Sequence, residues 1–134
     1  MLNKTLGIRH IALRVKNIQE CKYFYHEILQ MEIDWEPDSN NIYLTNGHDN
    51  LALHYSEEVS NKNNTNTLDH FGIVVRQKSD VDLWYNHITN NKVSIHQEIK
   101  DHRDGSRSFY CNDPDQNIVQ IILSLIHISE PTRL

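Results

Sequence analysis

His10-Ile11-Ala12-Leu13-Arg14-Val15 returns sixty residues later as His70-Phe71-Gly72-Ile73-Val74-Val75. The same offset sets Phe24-Tyr25-His26-Glu27-Ile28 beside Trp84-Tyr85-Asn86-His87-Ile88. Further on, Tyr43-Leu44-Thr45-Asn46 falls beside Phe109-Tyr110-Cys111-Asn112, and Leu51-Ala52-Leu53-His54 beside Asn117-Ile118-Val119-Gln120, at an offset of 66. Similarity in one segment can arise by chance. Four segments in the same order point to internal duplication.

Each copy has the same coarse order. A β-branched and aliphatic strand comes first, at about 7–15 and 68–76. A helix follows, at about 17–30 and 78–91, with Asn17 and Ser79 as N-caps. Cys21, Phe24, Tyr25, Ile28 and Leu29 recur at helical spacing, as do Val81, Trp84, Tyr85 and Ile88. Three shorter strands close each copy, at about 31–36, 41–45 and 50–56, and at about 93–99, 106–111 and 117–123. Asn46-Gly47-His48-Asp49 and Asp113-Pro114-Asp115-Gln116 supply hairpin turns. The predicted class is α+β, with two tandem βαβββ modules as curved mixed sheets around a shared cleft. The modules span about 7–56 and 68–123, joined by an Asn-rich polar linker at 57–67.

Strand alternation separates the faces. Ile11, Leu13 and Val15 point to the helix, leaving His10, Ala12 and Arg14 opposite. Phe71, Ile73 and Val75 do the same in the second copy, leaving His70, Gly72 and Val74. On the fourth strands, Ala52 and His54, and Ile118, Gln120 and Ile122, face away from the helices. Four ligand-type side chains therefore lie on non-helix faces: His10, His54, His70 and Gln120. If the sheets curl into one cleft about a pseudo-two-fold axis, the four converge. A lone strand histidine is ordinarily a hydrogen-bonded or surface residue. Folding does not require imidazole on faces otherwise lined by Ala52, Gly72 and Ile118, so the matched pairs predict a metal site.

The composition bounds the alternatives. One chain of 134 residues is a domain's worth and can bury a core without staples. With 38% hydrophobic and 23% charged residues it reads as globular, not disordered. A net charge of −5 without a basic patch argues against nucleic acid as partner. No apolar run reaches the roughly 18 residues of a membrane span. Cys21 and Cys111 have neither metal nor redox spacing, and with no signal-peptide pattern they predict a reducing cytoplasm. The stretch Leu123–Arg133 follows no earlier pattern and reads like a translated transposase sequencing adapter. The expectation is that 124–134 is not native, and His127 is set aside with it.

Arg9-His10-Ile11-Ala12-Leu13-Arg14-Val15, the helix Phe24-Tyr25-His26-Glu27-Ile28-Leu29 and the hairpin Ser108-Phe109-Tyr110-Cys111-Asn112-Asp113-Pro114-Asp115 together resemble the vicinal oxygen chelate superfamily. That group includes glyoxalase I, extradiol dioxygenases, fosfomycin-resistance transferases, methylmalonyl-CoA epimerase and bleomycin-resistance proteins. The likeness covers about 7–123. It implies first-strand ligands at His10 and His70 and fourth-strand ligands at His54 and Gln120. It also implies chelation of a substrate's adjacent oxygens on a divalent ion. Three imidazoles and an amide suit zinc, iron, nickel, cobalt or manganese without choosing among them. Gln116 stands where the hairpin usually has glycine, which implies a different backbone there.

No subclass matches residue for residue. Glyoxalases have Glu at the position of His54 and commonly use a carboxylate ligand as base; His54, if unligated, can replace it. Extradiol dioxygenases need two His and a carboxylate, and fosfomycin transferases use His, His and Glu, where this chain has Gln120. The loop Asp101-His102-Arg103-Asp104-Gly105-Ser106-Arg107 offers Arg103 or Arg107 to clamp an anionic substrate, and Tyr43 and Tyr110 can line the cleft. The resemblance thus implies a metal-dependent lyase, isomerase or dioxygenase for a small oxygen-rich molecule. The competing readings are a metal-free module that sequesters a small molecule, as bleomycin-resistance proteins do, and a member without activity. A homodimer is expected, because the long linker permits exchange of modules between chains.

Overall fold

The computed structural model describes residues 2–59 and 67–123. Most of the predicted linker and all of 124–134, with His127, lie outside them. The chain divides into two compact units, at 61/62.

In the first unit, β1 (His10–Val15) leads into α1 (Ile18–Tyr23), which continues as one π-helical turn, Phe24–Ile28. Then come β2 (Glu32–Asp38), β3 (Asn41–Thr45) and β4 (Asn50–Tyr55). The sheet order is β1-β4-β3-β2, with β1 and β4 parallel and the other pairs antiparallel. The second unit repeats the plan with β5 (Phe71–Val74), α2 (Lys78–Asn90), β6 (Ile95–Asp101), β7 (Arg107–Asn112) and β8 (Ile118–Leu123), in the order β5-β8-β7-β6. The α+β class and the doubled βαβββ order stand. The helix and the two strands after it together form the crossover that parallel pairing of first and fourth strands demands.

β1 starts at His10 rather than at 7 because its ladder partner β4 starts at Asn50. Leu13 and Val15 are buried on its helix side, while His10, Ala12 and Arg14 are exposed. Phe24, Tyr25, Ile28 and Leu29 are all buried, an apolar stripe wider than one regular helix face. The π turn accommodates it, with Leu29 N–H donating to Phe24 O at 2.9 Å across five residues. In the second unit Val81 and Ile88 are buried on α2, and Phe109, Cys111, Val119 and Ile121 on the sheet. Each such large apolar side chain contributes about 2 kcal/mol when fully buried.

Two local expectations need correction. Ser79 does not cap α2. Gln77 does, its N–H bonded to the Asp80 carboxylate at 3.1 Å, two residues earlier than the sequence suggested. Asn17 stands at the N-cap of α1 as expected, without a side-chain cap bond. Gln116 does not impose a different turn. It takes φ 69°, the left-handed geometry that glycine favours. The Asp113 carboxylate holds it there by accepting from Asp115 N and Asn117 N at 2.8 and 2.9 Å.

Candidate functional site

β-ladder register decides which side chains of each unit stand together. In the first unit Ala12 pairs with Ala52, and Tyr43 with Ala52. In the second, Gly72 pairs with Gln120, and Tyr110 with Gln120. His10 lies two residues before Ala12, as His70 lies two before Gly72. The structural counterpart of Gln120 is therefore Ala52, not His54, and the offset in the fourth strands is 68 rather than 66. His54 pairs with Arg14 and corresponds to Ile122. It sits four residues beyond Asn50, the partner of His10, or about 13 Å along the strand. At that separation two imidazoles standing upright on one sheet do not converge. Ala52 and Gln120 share a rung of the ladders but no chemistry, so their equivalence leaves no trace in the sequence.

The three histidines are prepared alike. His10 Nδ1 lies 2.8 Å from Asn50 Oδ1, His54 Nδ1 2.6 Å from Asn41 Oδ1, and His70 Nδ1 2.7 Å from Asp69 Oδ2. An oxygen at that distance accepts, so each Nδ1 carries a proton, and in the neutral ring Nε2 then presents its lone pair. Gln120 is nearly buried, at 9% exposure, and donates Nε2–H to Tyr110 Oη at 3.1 Å. Around Tyr110, His70 meets the ring edge-on with centroids 5.1 Å apart, and His96 lies at 6.4 Å. In the first unit Trp35 stacks on Tyr43 at 5.2 Å, and His54 meets Tyr43 edge-on at 5.8 Å. Trp35 is 59% exposed, so this aromatic wall is open to solvent. Trp35 and His96 escaped the sequence reading because edge-strand bulges set their register.

The loop after β6 behaves differently from expectation. Arg107 is not free to clamp a substrate. It reaches Asp82 at 2.7 Å and Asp101 at 2.8 Å, and these two carboxylates hold its guanidinium more firmly charged than usual. Arg103 is exposed and unpaired among the described residues. Ser106 donates its hydroxyl and N–H to Asp104, which pulls that carboxyl below its ordinary range. His102 Nε2 lies 3.0 Å from Ser108 Oγ and braces the same loop.

A sequence model described as the Glyoxalase/Bleomycin resistance protein/Dioxygenase superfamily matches residues 7–121. The chain belongs to this superfamily. Among relatives within reach of sequence comparison, a metallothiol transferase FosB of Staphylococcus saprophyticus is 28% identical over 110 residues, covering 81% of this chain and 71% of that one. The FosB of Staphylococcus haemolyticus is 28% identical over 116 residues, covering 86% and 81%. Similar solved structures include a lactoylglutathione lyase from Agrobacterium tumefaciens, with TM-score 0.75 and 20% identity over 91% of this chain and 96% of that one. An integron cassette protein from a Halifax Harbour sewage outfall gives TM-score 0.73 and 23% identity over 90% and 100%. These two establish the superfamily fold alone.

The superfamily pattern implies a metal, and the donor types present, imidazole in both units and an amide in the second, fit one. Two imidazoles with open Nε2 atoms and one amide oxygen are all neutral donors acceptable to a first-row divalent ion. Among the described residues, no three His, Cys, Asp or Glu side chains are gathered as a ready cation site. No helix among the described residues is long and apolar enough to cross a membrane.

Proposed function

We propose that the chain is a metal-dependent enzyme, with His10, His70 and Gln120 as the ligands that the superfamily pattern assigns. The observation that carries this reading is the shared preparation of the two first-strand histidines. Each has Nδ1 fixed by a side-chain oxygen and Nε2 left open, the arrangement that orients a metal-bound imidazole. Ala52 leaves the fourth position without a ligand, so the set reduces to three. That is the His, His, Glu pattern of fosfomycin transferases with Gln120 for Glu, and the relatives named metallothiol transferase support the same class. The reaction favoured is therefore transfer of a thiol to a small oxygen-rich molecule, ahead of the lyase, isomerase and dioxygenase types.

A divalent ion bound there would supply Lewis-acid polarisation of a substrate oxygen. The remaining work falls to the protein's own groups. His54, with Nδ1 on Asn41, offers Nε2 to a part of the substrate that extends along β4 past Ala52. Trp35 and Tyr43 give an apolar wall for the body of the substrate, and the exposed Arg103 suits an anionic end. The functional form proposed is a cytoplasmic homodimer that takes a small molecule and no nucleic acid.

The second reading, a metal-free sequestering module, is favoured by the open Trp35–Tyr43 wall and the absence of a carboxylate ligand. Metal analysis of protein purified without chelators separates the two. The expected result is about one zinc-, iron-, nickel-, cobalt- or manganese-class ion per chain, lost in His10→Ala with His70→Ala and retained in His54→Ala. Wild-type protein that carries no ion and takes up none would sink the enzyme reading.

A further inference from the structure

The side chain of Gln120 is gripped from two sides. On one side β7 brings Tyr110 opposite it, and Gln120 Nε2 donates to Tyr110 Oη at 3.1 Å. On the other, β5 brings Gly72 opposite it. A Cβ at position 72 would lie 3.4 Å from Gln120 Oε1 and 3.5 Å from Ile122 Cγ2, ordinary contact distances that place the carbonyl end beside β5. Oε1 thereby faces β5, the strand that His70 immediately precedes.

An amide has two unlike ends. Its oxygen can bind a cation, whereas its NH₂ carries only donors and repels one. A carboxylate has no such problem, because both its ends are oxygen. Glutamine as a ligand therefore needs a partner that selects one rotation of the amide. The Tyr110 ring is itself held in place by the edge-on contact with His70 at 5.1 Å.

We propose that Tyr110 is a positioning residue whose hydroxyl, by accepting from Nε2, turns Oε1 of Gln120 toward the ion, and so lets glutamine stand in for a carboxylate. This role rests on the three-ligand reading above. The same hydroxyl can reverse its part and donate to a carboxylate, so it is compatible with either residue at position 120.

The reversal gives the test. Co²⁺ affinity is measured by visible absorption titration for wild type, Tyr110→Phe, Gln120→Glu and the double variant, with thermal melts as a check on folding. Phe keeps the ring and loses only the hydroxyl. In the wild-type background Tyr110→Phe should weaken Co²⁺ binding about 10–100-fold, the usual loss on removing a group that orients a ligand. In the Gln120→Glu background the same change should cost less than about 3-fold, since a carboxylate needs no orientation, leaving a coupling that general loosening of the fold would not produce. Wild-type protein that binds Co²⁺ while Tyr110→Phe leaves affinity unchanged, or loses it equally in both backgrounds, overturns this role alone. Wild-type protein that takes up no Co²⁺ overturns the ion reading and this role with it. A second measurement needs no variant: the Gln120 side-chain amide proton bonded to Tyr110 should exchange slowly in the wild type, and fast exchange of both amide protons overturns the hydrogen bond itself.

Discussion

Arg107 ties α2 to β6, with its guanidinium shared between Asp82 and Asp101 and its side chain only 20% exposed. A forked donor between two carboxylates makes stronger bonds than an isolated surface pair. Arg107→Ala should lower unfolding free energy by about 1–2 kcal/mol, while Arg103→Ala should change it by less than about 0.5 kcal/mol. Urea unfolding at constant pH checks both, and equal midpoints for the two variants would refute the distinction. The sequence placed both arginines in one loop and could not rank them. Asp82, which decides the matter, lies twenty-five residues away on another element.

Backbone conformation at the ends of elements shows a second economy. Gln30 after the π turn, Lys92 after α2 and Gln116 in the last hairpin all take left-handed φ values of 63°, 62° and 69°. Glycine is the usual occupant of such positions, because a Cβ there costs roughly 1–2 kcal/mol. Gln30→Gly and Gln116→Gly should therefore each stabilise the fold by about 0.5–1 kcal/mol, after allowing for glycine's greater freedom in the unfolded chain. A rise in melting temperature for each, additive in the double variant, is the expected measurement; a fall at either position would show that its side chain contributes more than its strain. Element order and helix faces were legible here because period and repeat agree. The lengths of β1 and β5 were not, since a strand lasts only as long as its partner.

Across the whole molecule, each unit keeps one cysteine in its core. Cys21 and Cys111 are both fully buried. Burial, reinforced by the nearby Asp113, pushes the Cys111 thiol up to about 12 from its ordinary 9.0. A thiol whose folded value is raised keeps its proton where the unfolded chain would release it. Its stabilising share is complete below pH 9 and is lost as pH rises toward 12. Folded protein should show no thiol reactive to a disulfide reagent at neutral pH and two after denaturation, and its stability should fall across that alkaline range. A rapidly reacting thiol in native protein would contradict the core described. By itself the sequence determined the duplication, the βαβββ order, and the first-strand histidines, because strand alternation and helical period are local and repeated. Only the tertiary structure decided that Ala52, not His54, answers Gln120, that Arg107 is already paired, and that Tyr110 grips the Gln120 amide. Those facts depend on register between strands distant in sequence, and a slip of two residues leaves every side chain on its proper face, where no pattern in the chain can detect it.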